Sequence, residues 1–98
     1  MIVAIHQSFN GVVIAICDKE LIGKRFEQGK LQLDLTTNFY RGEEMPEDKV
    51  LELFKKAYIV NLVGKKAISF GLKANVINKE NIIKIKNIPI CQCVIVKR

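Results

Sequence analysis

The residues of this sequence that could do chemistry are mainly lysines, and most of them lie in its second half. Residues 1–49 contain six Lys and Arg against eight Asp and Glu, whereas residues 50–98 contain ten against two, so the halves carry charges of −2 and +8. Such an asymmetry is typical of a basic surface that binds a polyanion, although a solvated lysine coat gives the same composition. Phosphate contacts by lysines and base stacking by an aromatic residue would together bind RNA. The candidate RNA-binding residues are Lys65, Lys66, Lys73, Lys84, Lys86, Tyr40 and Arg41.

A second candidate is Asn61, a polar residue in an otherwise apolar run from Ala57 to Val63. A buried amide must form hydrogen bonds, because leaving it without partners costs about 1–3 kcal/mol. Two interpretations fit. Asn61 could cap the helix predicted to begin at Gly64. Alternatively, the free N–H groups near Gly64, with Lys65 and Lys66 beside them, could form an anion site that receives a phosphate.

The cysteines and the single histidine are weaker candidates. The three cysteines cannot all pair within one chain and none forms a Cys-x-x-Cys motif, so we expect free, mostly buried thiols in a reducing compartment and no metal site. They are Cys17, Cys91 and Cys93. Counting outward from an Asn10-Gly11 turn places His6 and Cys17 as a diagonal pair on one face of a hairpin. A Cys–His dyad can act as a nucleophile, but no third group orients this histidine, so we predict no catalytic residue and no cofactor.

The elements that must position these residues are strands at both ends of the chain and two helices in the middle. Helices are predicted over residues 46–58 and 64–74, separated by a break at Asn61-Leu62-Val63-Gly64. This order predicts an α+β fold in one domain, residues 1–98, with an antiparallel or mixed sheet of four to five strands and both helices packed on one face. The second strand is apolar on both faces and should be central, and Pro89 should lie in a turn. The predicted strands are Ile2–Phe9, Val12–Asp18, Leu31–Leu35, Ile82–Lys86 and Ile90–Val96.

The hydrophobic pattern also bears on location. No apolar run approaches the ~18 residues of a membrane-spanning helix, and no basic segment precedes the first strand as it would in a secretion signal. We therefore expect a cytoplasmic protein without a membrane partner.

Several short motifs carry a resemblance to a known family. The motifs are Cys17-Asp18 followed by Leu21 and Gly23, Tyr40-x-Gly42, Ala57 with Asn61-Leu62-Val63-Gly64, and Ile88-Pro89 with Gln92. With these residues the chain resembles, over nearly its whole length, the archaeal family known as domain of unknown function 424. The resemblance implies a small cytosolic archaeal protein without an established activity. The family pattern has Pro-His-Ala-Gln where this sequence has Pro89-Ile90-Cys91-Gln92, so the histidine is absent here.

Three functional hypotheses follow from these patterns. The first is a non-enzymatic RNA-binding accessory protein, associated with ribosomes, tRNA or another part of translation. The second is a protein–protein interaction module whose oppositely charged faces steer a partner. The third is an enzyme that uses Cys17, Asp18 and Asn61. The oligomeric state is left open by the sequence.

Overall fold

Branched residues at both ends of the chain form strands, and amphipathic segments in its middle form two helices. The fold is that of a computed structural model that describes residues 1–95, so Val96 of the predicted last strand and the basic tail Lys97–Arg98 lie outside the described residues. The strands are β1 Ile2–Ser8, β2 Gly11–Cys17, β3 Arg25–Gln28, β4 Leu31–Asp34, β5 Glu43–Glu44, β6 Ala57–Val63, β7 Ile83–Ile85 and β8 Ile88–Val94. The α-helices are α1 Glu47–Phe54 and α2 Lys65–Lys73, and short 3-10 helices occur at Lys19–Leu21, Asn38–Tyr40 and Lys79–Asn81.

The strands form one large sheet and a separate hairpin. Within residues 1–95 the sheet has six strands in the order β5-β1-β2-β6-β8-β7, and β3 pairs with β4 alone. The sheet is mixed because β2 and β6 run parallel, whereas the other neighbouring strands are antiparallel. The predicted α+β class and mixed sheet are confirmed. The predicted count of four to five strands is slightly too low for this sheet, because β5 and β6 are not among the predicted strands, whereas the predicted strand β4 lies in the separate hairpin.

The largest correction concerns the segment between the helices. The sequence predicts a helix to residue 58 and then a break, but α1 ends at Phe54 and β6 follows from Ala57 to Val63. Neighbours in this apolar run face opposite sides of the sheet, as Leu62 and Val63 do. A continuous apolar run cannot be assigned to helix or strand by its periodicity alone. Its branched residues favour a strand once β2 and β8 lie on both sides.

The turns also differ from prediction. Ser8 pairs with Gly11, so Phe9 and Asn10 form the first turn and Ile2, not Ala4, lies opposite Cys17. The predicted diagonal pair of His6 and Cys17 is therefore wrong. The reason is that Gly11, with φ 138°, begins β2 instead of completing the turn.

Pro89 lies in β8 and not in the turn that precedes it. The turn is formed by Lys86 and Asn87, which both have left-handed φ values, 52° and 65°. The Gly64 N–H donates to the Pro89 carbonyl at 2.9 Å, and the Gly64 carbonyl accepts from the Ile68 N–H at 2.9 Å. The Gly64 carbonyl, which a residue with an N–H at position 89 would bond, is thus already bonded within α2, so a proline is tolerated in this strand.

The sheet is covered differently on its two faces. Both helices pack on one face, which we call the helix face, as predicted. Its core includes Ile14, Ile16, Val50, Phe54, Val60, Leu62, Ala67, Ile68 and Phe70. The β3–β4 hairpin covers one end of the opposite face, the hairpin face, with a core of Cys17, Leu33, Leu35, Val63 and Ile85. A Cβ atom on Gly71 of α2 would lie 2.9 Å from Leu62 Cδ1, so the glycine allows a close approach of helix and sheet.

Candidate functional site

The N-terminus of α2 is capped by a carboxylate from the end of β2. Asp18 Oδ2 accepts from the Lys66 N–H at 3.0 Å and Oδ1 accepts from the Ala67 N–H at 2.8 Å. Parallel pairing of β2 and β6 brings Asp18 to this point, since its own N–H donates to the Val63 carbonyl at 3.0 Å. Asn61 is therefore not the cap. Two of the N–H groups that the hypothetical anion site required are already bonded to a carboxylate.

Gly64 joins β6 to α2 and must be glycine for two reasons. Its φ of 106° is a conformation that other residues rarely adopt, and a Cβ atom here would overlap the Asp18 carboxyl group. Asp18 has only 3% of its surface exposed, so it has little room to move away. Gly64 and Asp18 thus act together to begin α2.

The exposed side of α2 forms one wall of a basic groove. Lys65, Lys66, Ser69 and Lys73 recur at helical spacing and lie on one face. The groove has a volume of about 530 Å³, and we call it the lysine groove. It is lined by Met1, Met45, Pro46, Glu47, Lys65, Lys66, Ser69, Phe70 and Lys73.

The charges of the lysine groove are weakly compensated. Lys73 Nζ lies 3.8 Å from Glu47 Oε1, but both side chains are more than half exposed, so water screens this pair. Lys65 and Lys66 form no ion pair with any residue between 1 and 95. The groove therefore offers three cations above an apolar floor that includes Phe70 and Pro46.

The other predicted RNA-binding residues do not line the lysine groove. Lys86 lies in the turn between β7 and β8. The next residues, Asn87, Ile88 and Pro89, border a depression that Lys65 and Lys66 also line. Ile83 and Ile85 lie on the hairpin face, so Lys84 between them points to the helix face.

Tyr40 and Arg41 are not brought to the lysine groove. Arg41 lines a depression with Ile2, Lys19, Ile22 and Gly42. Tyr40 packs against the hairpin-face core and meets Phe39 edge-on, at 5.0 Å between ring centroids. Phe39 in turn stacks on His6 at 4.9 Å, so one face of its ring is covered. The predicted RNA-binding residues therefore do not form one continuous surface.

Asn61 lies in a second, uncharged site on the hairpin face. It is the register partner of Gln92 across β6 and β8, so the two carboxamides project side by side from the same face. They border a cleft of about 430 Å³, which we call the amide cleft. Its lining residues are Gln32, Leu33, Tyr40, Asn61, Leu62, Val63, Asn81, Ile83, Ile90, Cys91 and Gln92.

Burial sets the protonation of the groups beside this cleft. Burial, and secondarily the neighbouring Cys17 sulfur, raises the pKa of Tyr40 to about 12. Burial followed by the charges of Asp18 and Glu20 raises the pKa of the Cys17 thiol to about 12. Both groups are therefore protonated at neutral pH, and Tyr40 can act as a hydrogen-bond donor.

The residues of the enzyme hypothesis are not all accessible to a ligand. Cys17 is a fully buried thiol on the hairpin face, Asp18 is held by α2, and Asn61 borders the amide cleft. His6 Nε2 is bonded to the Phe39 carbonyl at 2.8 Å. A protonated, enclosed thiol is a poor nucleophile, so the geometry gives this trio no common chemistry.

Sequence reasoning found Asn61 but missed its partners in the amide cleft. Gln32, Asn81 and Gln92 were not proposed as site residues. One signal could have found Gln92: like Asn61, it interrupts an apolar strand with a carboxamide. Tyr40, Asn61 and Gln92 also belong to the motifs that carry the family resemblance, and the fold brings all three to this cleft.

Comparison with known proteins gives a family but no activity. The family model described as "Protein of unknown function (DUF424)" matches residues 6–96. A crystal structure of an uncharacterized conserved protein from Methanopyrus kandleri is similar, with a TM-score of 0.83 at 25% sequence identity, covering 99% of this chain and 92% of that one. No curated protein matches the chain significantly. Between residues 1 and 95, neither helix has the length and apolar character that crossing a membrane would require.

Proposed function

We propose that this chain, which belongs to the DUF424 family, is a non-enzymatic protein that binds RNA through the phosphate contacts of its lysine groove. The observation that carries the proposal is that Lys65, Lys66 and Lys73 line one groove with a single carboxylate, Glu47. Lysines on one helix face contact successive phosphates without reading sequence. The function in the cell would be that of an accessory protein of ribosomes or tRNA, in the cytoplasm.

The surroundings of the groove support a long anionic ligand. Lys65 and Lys66 line both the groove and the depression beside Pro89, which also contains Glu20. Lys86 lies in the adjoining turn. The basic excess of residues 50–98 adds a field that attracts polyanions from a distance. The Methanopyrus kandleri structure supports the archaeal setting that the family resemblance implies.

Phosphate contacts would come from side chains and not from the N-terminus of α2. The Asp18 carboxylate already accepts from the Lys66 and Ala67 N–H groups, which leaves this helix end less attractive to an anion. Tyr40 is packed in the hairpin-face core, so base stacking on it is not part of the proposed binding mode.

The decisive experiment compares two charge-matched triple variants. Lys65→Glu, Lys66→Glu and Lys73→Glu together should abolish binding of a short labelled single-stranded RNA, measured by fluorescence anisotropy. The control changes Lys24, Lys30 and Lys56 to Glu, which alters the net charge equally at exposed positions outside the groove. The control should lose only the smaller part of the affinity that comes from the long-range attraction of the net charge.

Two results would contradict this function. One is unchanged RNA affinity in the groove variant at an unchanged melting temperature. The other is an equal loss in both triple variants, which would mean that net charge alone attracts RNA.

A protein partner is the alternative function, and the sheet edges favour it. The edge strand β5 consists of Glu43 and Glu44, whereas Lys84 lies in β7 at the opposite edge. Edges of opposite charge could orient a partner. A protein recovered by affinity purification in high salt, from a chain that fails to bind RNA, would favour this alternative.

A further inference from the structure

The amide cleft is a built site that the lysine groove does not explain. We propose that it binds a nucleobase, held at its hydrogen-bonding edge by the carboxamides of Asn61 and Gln92. The two sites lie on opposite faces of the sheet. The groove is formed by α2 on the helix face, and the cleft is formed on the hairpin face by residues of β4, β6 and β8 together with Tyr40. This inference therefore does not rest on RNA binding by the groove.

The lining of the cleft selects an uncharged ligand. Its described lining residues include four carboxamide side chains and one phenol but no Asp, Glu, Lys or Arg. A phosphate or carboxylate placed there would meet no cationic side chain among the lining residues, whereas a neutral polar group can both donate to and accept from the carboxamides. The lining therefore suits a neutral group that both donates and accepts hydrogen bonds.

Asn61 and Gln92 provide the matching edge. Directly opposed residues on antiparallel strands have Cα atoms about 4.5–5.5 Å apart, so the two carboxamides lie at neighbouring positions on the sheet. Each offers one acceptor oxygen and two N–H donors. Among residues 1–95 neither side chain has a hydrogen-bond partner, so both are free to bind a ligand. Carboxamides are the side chains that form paired hydrogen bonds with base edges.

The walls and the size of the cleft fit the rest of a base. Leu33, Ile83 and Ile90 supply apolar surface, and Tyr40 supplies an aromatic side chain with a protonated hydroxyl group. A volume of about 430 Å³ lies in the range of small-ligand sites, which is ~300–1,000 Å³. Its volume is sufficient for a nucleoside.

Two sources could present this chemistry. The base could belong to a free nucleoside, or it could be an unstacked base of single-stranded RNA. Both would offer the same edge to Asn61 and Gln92, and the experiment below separates them.

The test is a titration of the ¹⁵N-labelled protein followed by NMR. Uridine, cytidine, adenosine and guanosine are added separately, then a single-stranded oligoribonucleotide and its abasic counterpart. We expect saturable shifts at the backbone amides of Asn61 and Gln92 with at least one base. Asn61→Ala and Gln92→Ala should each weaken this binding by about tenfold or more. Gln7→Ala, an exposed carboxamide outside the cleft, should leave it unchanged.

The pattern of shifts identifies the source of the base. Shifts with free nucleosides identify a small ligand, and shifts only with the base-bearing oligonucleotide identify RNA as the source. The triple Glu variant of the lysine groove should keep nucleoside binding, so failure of one site is distinguishable from failure of the other. The proposal is overturned if no nucleoside or oligonucleotide shifts the amide resonances of Asn61 and Gln92, or if both alanine variants bind as tightly as the wild type. It is also overturned if glycylglycine shifts the same resonances as strongly. The spectra of the variants show directly whether they are folded.

Discussion

The lysine groove and the amide cleft lie on opposite faces of one sheet and differ in charge and in the contacts that they offer a ligand. The groove exposes cations to water above an apolar floor, whereas the cleft holds uncharged carboxamides between apolar walls. Exposed lysines attract an anion over a long range but carry little shape information. Amides beside an apolar wall act only at contact distance and discriminate by hydrogen bonding. The two faces therefore suit different ligands, or different parts of one ligand.

The two regions are connected where β6 meets α2. β6 carries Asn61 to the cleft, and one residue beyond its end Gly64 begins α2, which carries the lysines of the groove. The Asp18 carboxylate packs against this joint and caps the helix. Changes at the joint should therefore disturb both regions, whereas changes within one region should leave the other intact.

The largest expected effect follows from Gly64→Ala. The added methyl group would overlap the Asp18 carboxyl group and place alanine at a φ of 106°, so we expect a loss of about 3 kcal/mol or more of unfolding free energy. Urea denaturation measures this loss. Gly23→Ala is the matched control, because its φ is 85° but nothing lies within 4 Å of the new Cβ atom. The control should lose only about 1 kcal/mol. Equal losses in the two variants would show that Asp18 does not constrain Gly64.

Asp18→Ala should have the next largest effect. It removes the acceptor of two α2 N–H groups, 2.8 and 3.0 Å away, in a site that is 3% exposed. We expect a loss of about 2 kcal/mol, and about half as much for Asp18→Asn, which keeps one acceptor oxygen. Asp48→Ala, in the exposed first turn of α1, should change stability by about 0.5 kcal/mol or less. A loss no greater than that of Asp48→Ala would mean that α2 does not depend on this cap.

Alkaline pH should lower the unfolding free energy through two groups of the hairpin face, Tyr40 and Cys17. Burial raises the pKa of Tyr40 from its usual 10.0 to about 12, so the native state holds the phenol proton after the unfolded chain has released it. The stability contribution of Tyr40 is therefore complete below pH 10 and is lost as pH rises toward 12, at about 1.4 kcal/mol per pH unit. Tyr40→Phe should make urea midpoints less dependent on pH in this range. Cys17, whose pKa is also raised to about 12, should maintain a remaining slope. An identical pH dependence in Tyr40→Phe and wild type would contradict the burial of this phenol.

The features of the two faces that depend on a local residue pattern could be predicted from the sequence. Lys65, Lys66 and Lys73 share a helix face because their spacing alone places them there. Asn75 follows the end of α2 in the predicted left-handed conformation, with φ 64°. The central position of β2 also followed from a local feature, since it is apolar on both faces.

The parts that depend on strand pairing could not be predicted. Helical periodicity continues from α1 into the apolar run of β6, and only pairing with β2 and β8 makes that run a strand. The amide cleft required the register of Asn61 with Gln92, which are far apart in the chain. The cap was misassigned for the same reason: Asp18 reaches α2 through parallel pairing, 48 residues away from Lys66.

The salt dependence of RNA affinity shows how many phosphates the lysine groove contacts, because each contact releases a counterion from the RNA. Three lysine–phosphate contacts to single-stranded RNA predict a log–log slope of about −2. The Lys65→Glu, Lys66→Glu, Lys73→Glu variant should bind too weakly for a slope to be measured, whereas the control variant with Lys24, Lys30 and Lys56 changed should keep a slope of about −2. RNA binding that is independent of salt, or a slope that stays the same in the groove variant, would contradict the account.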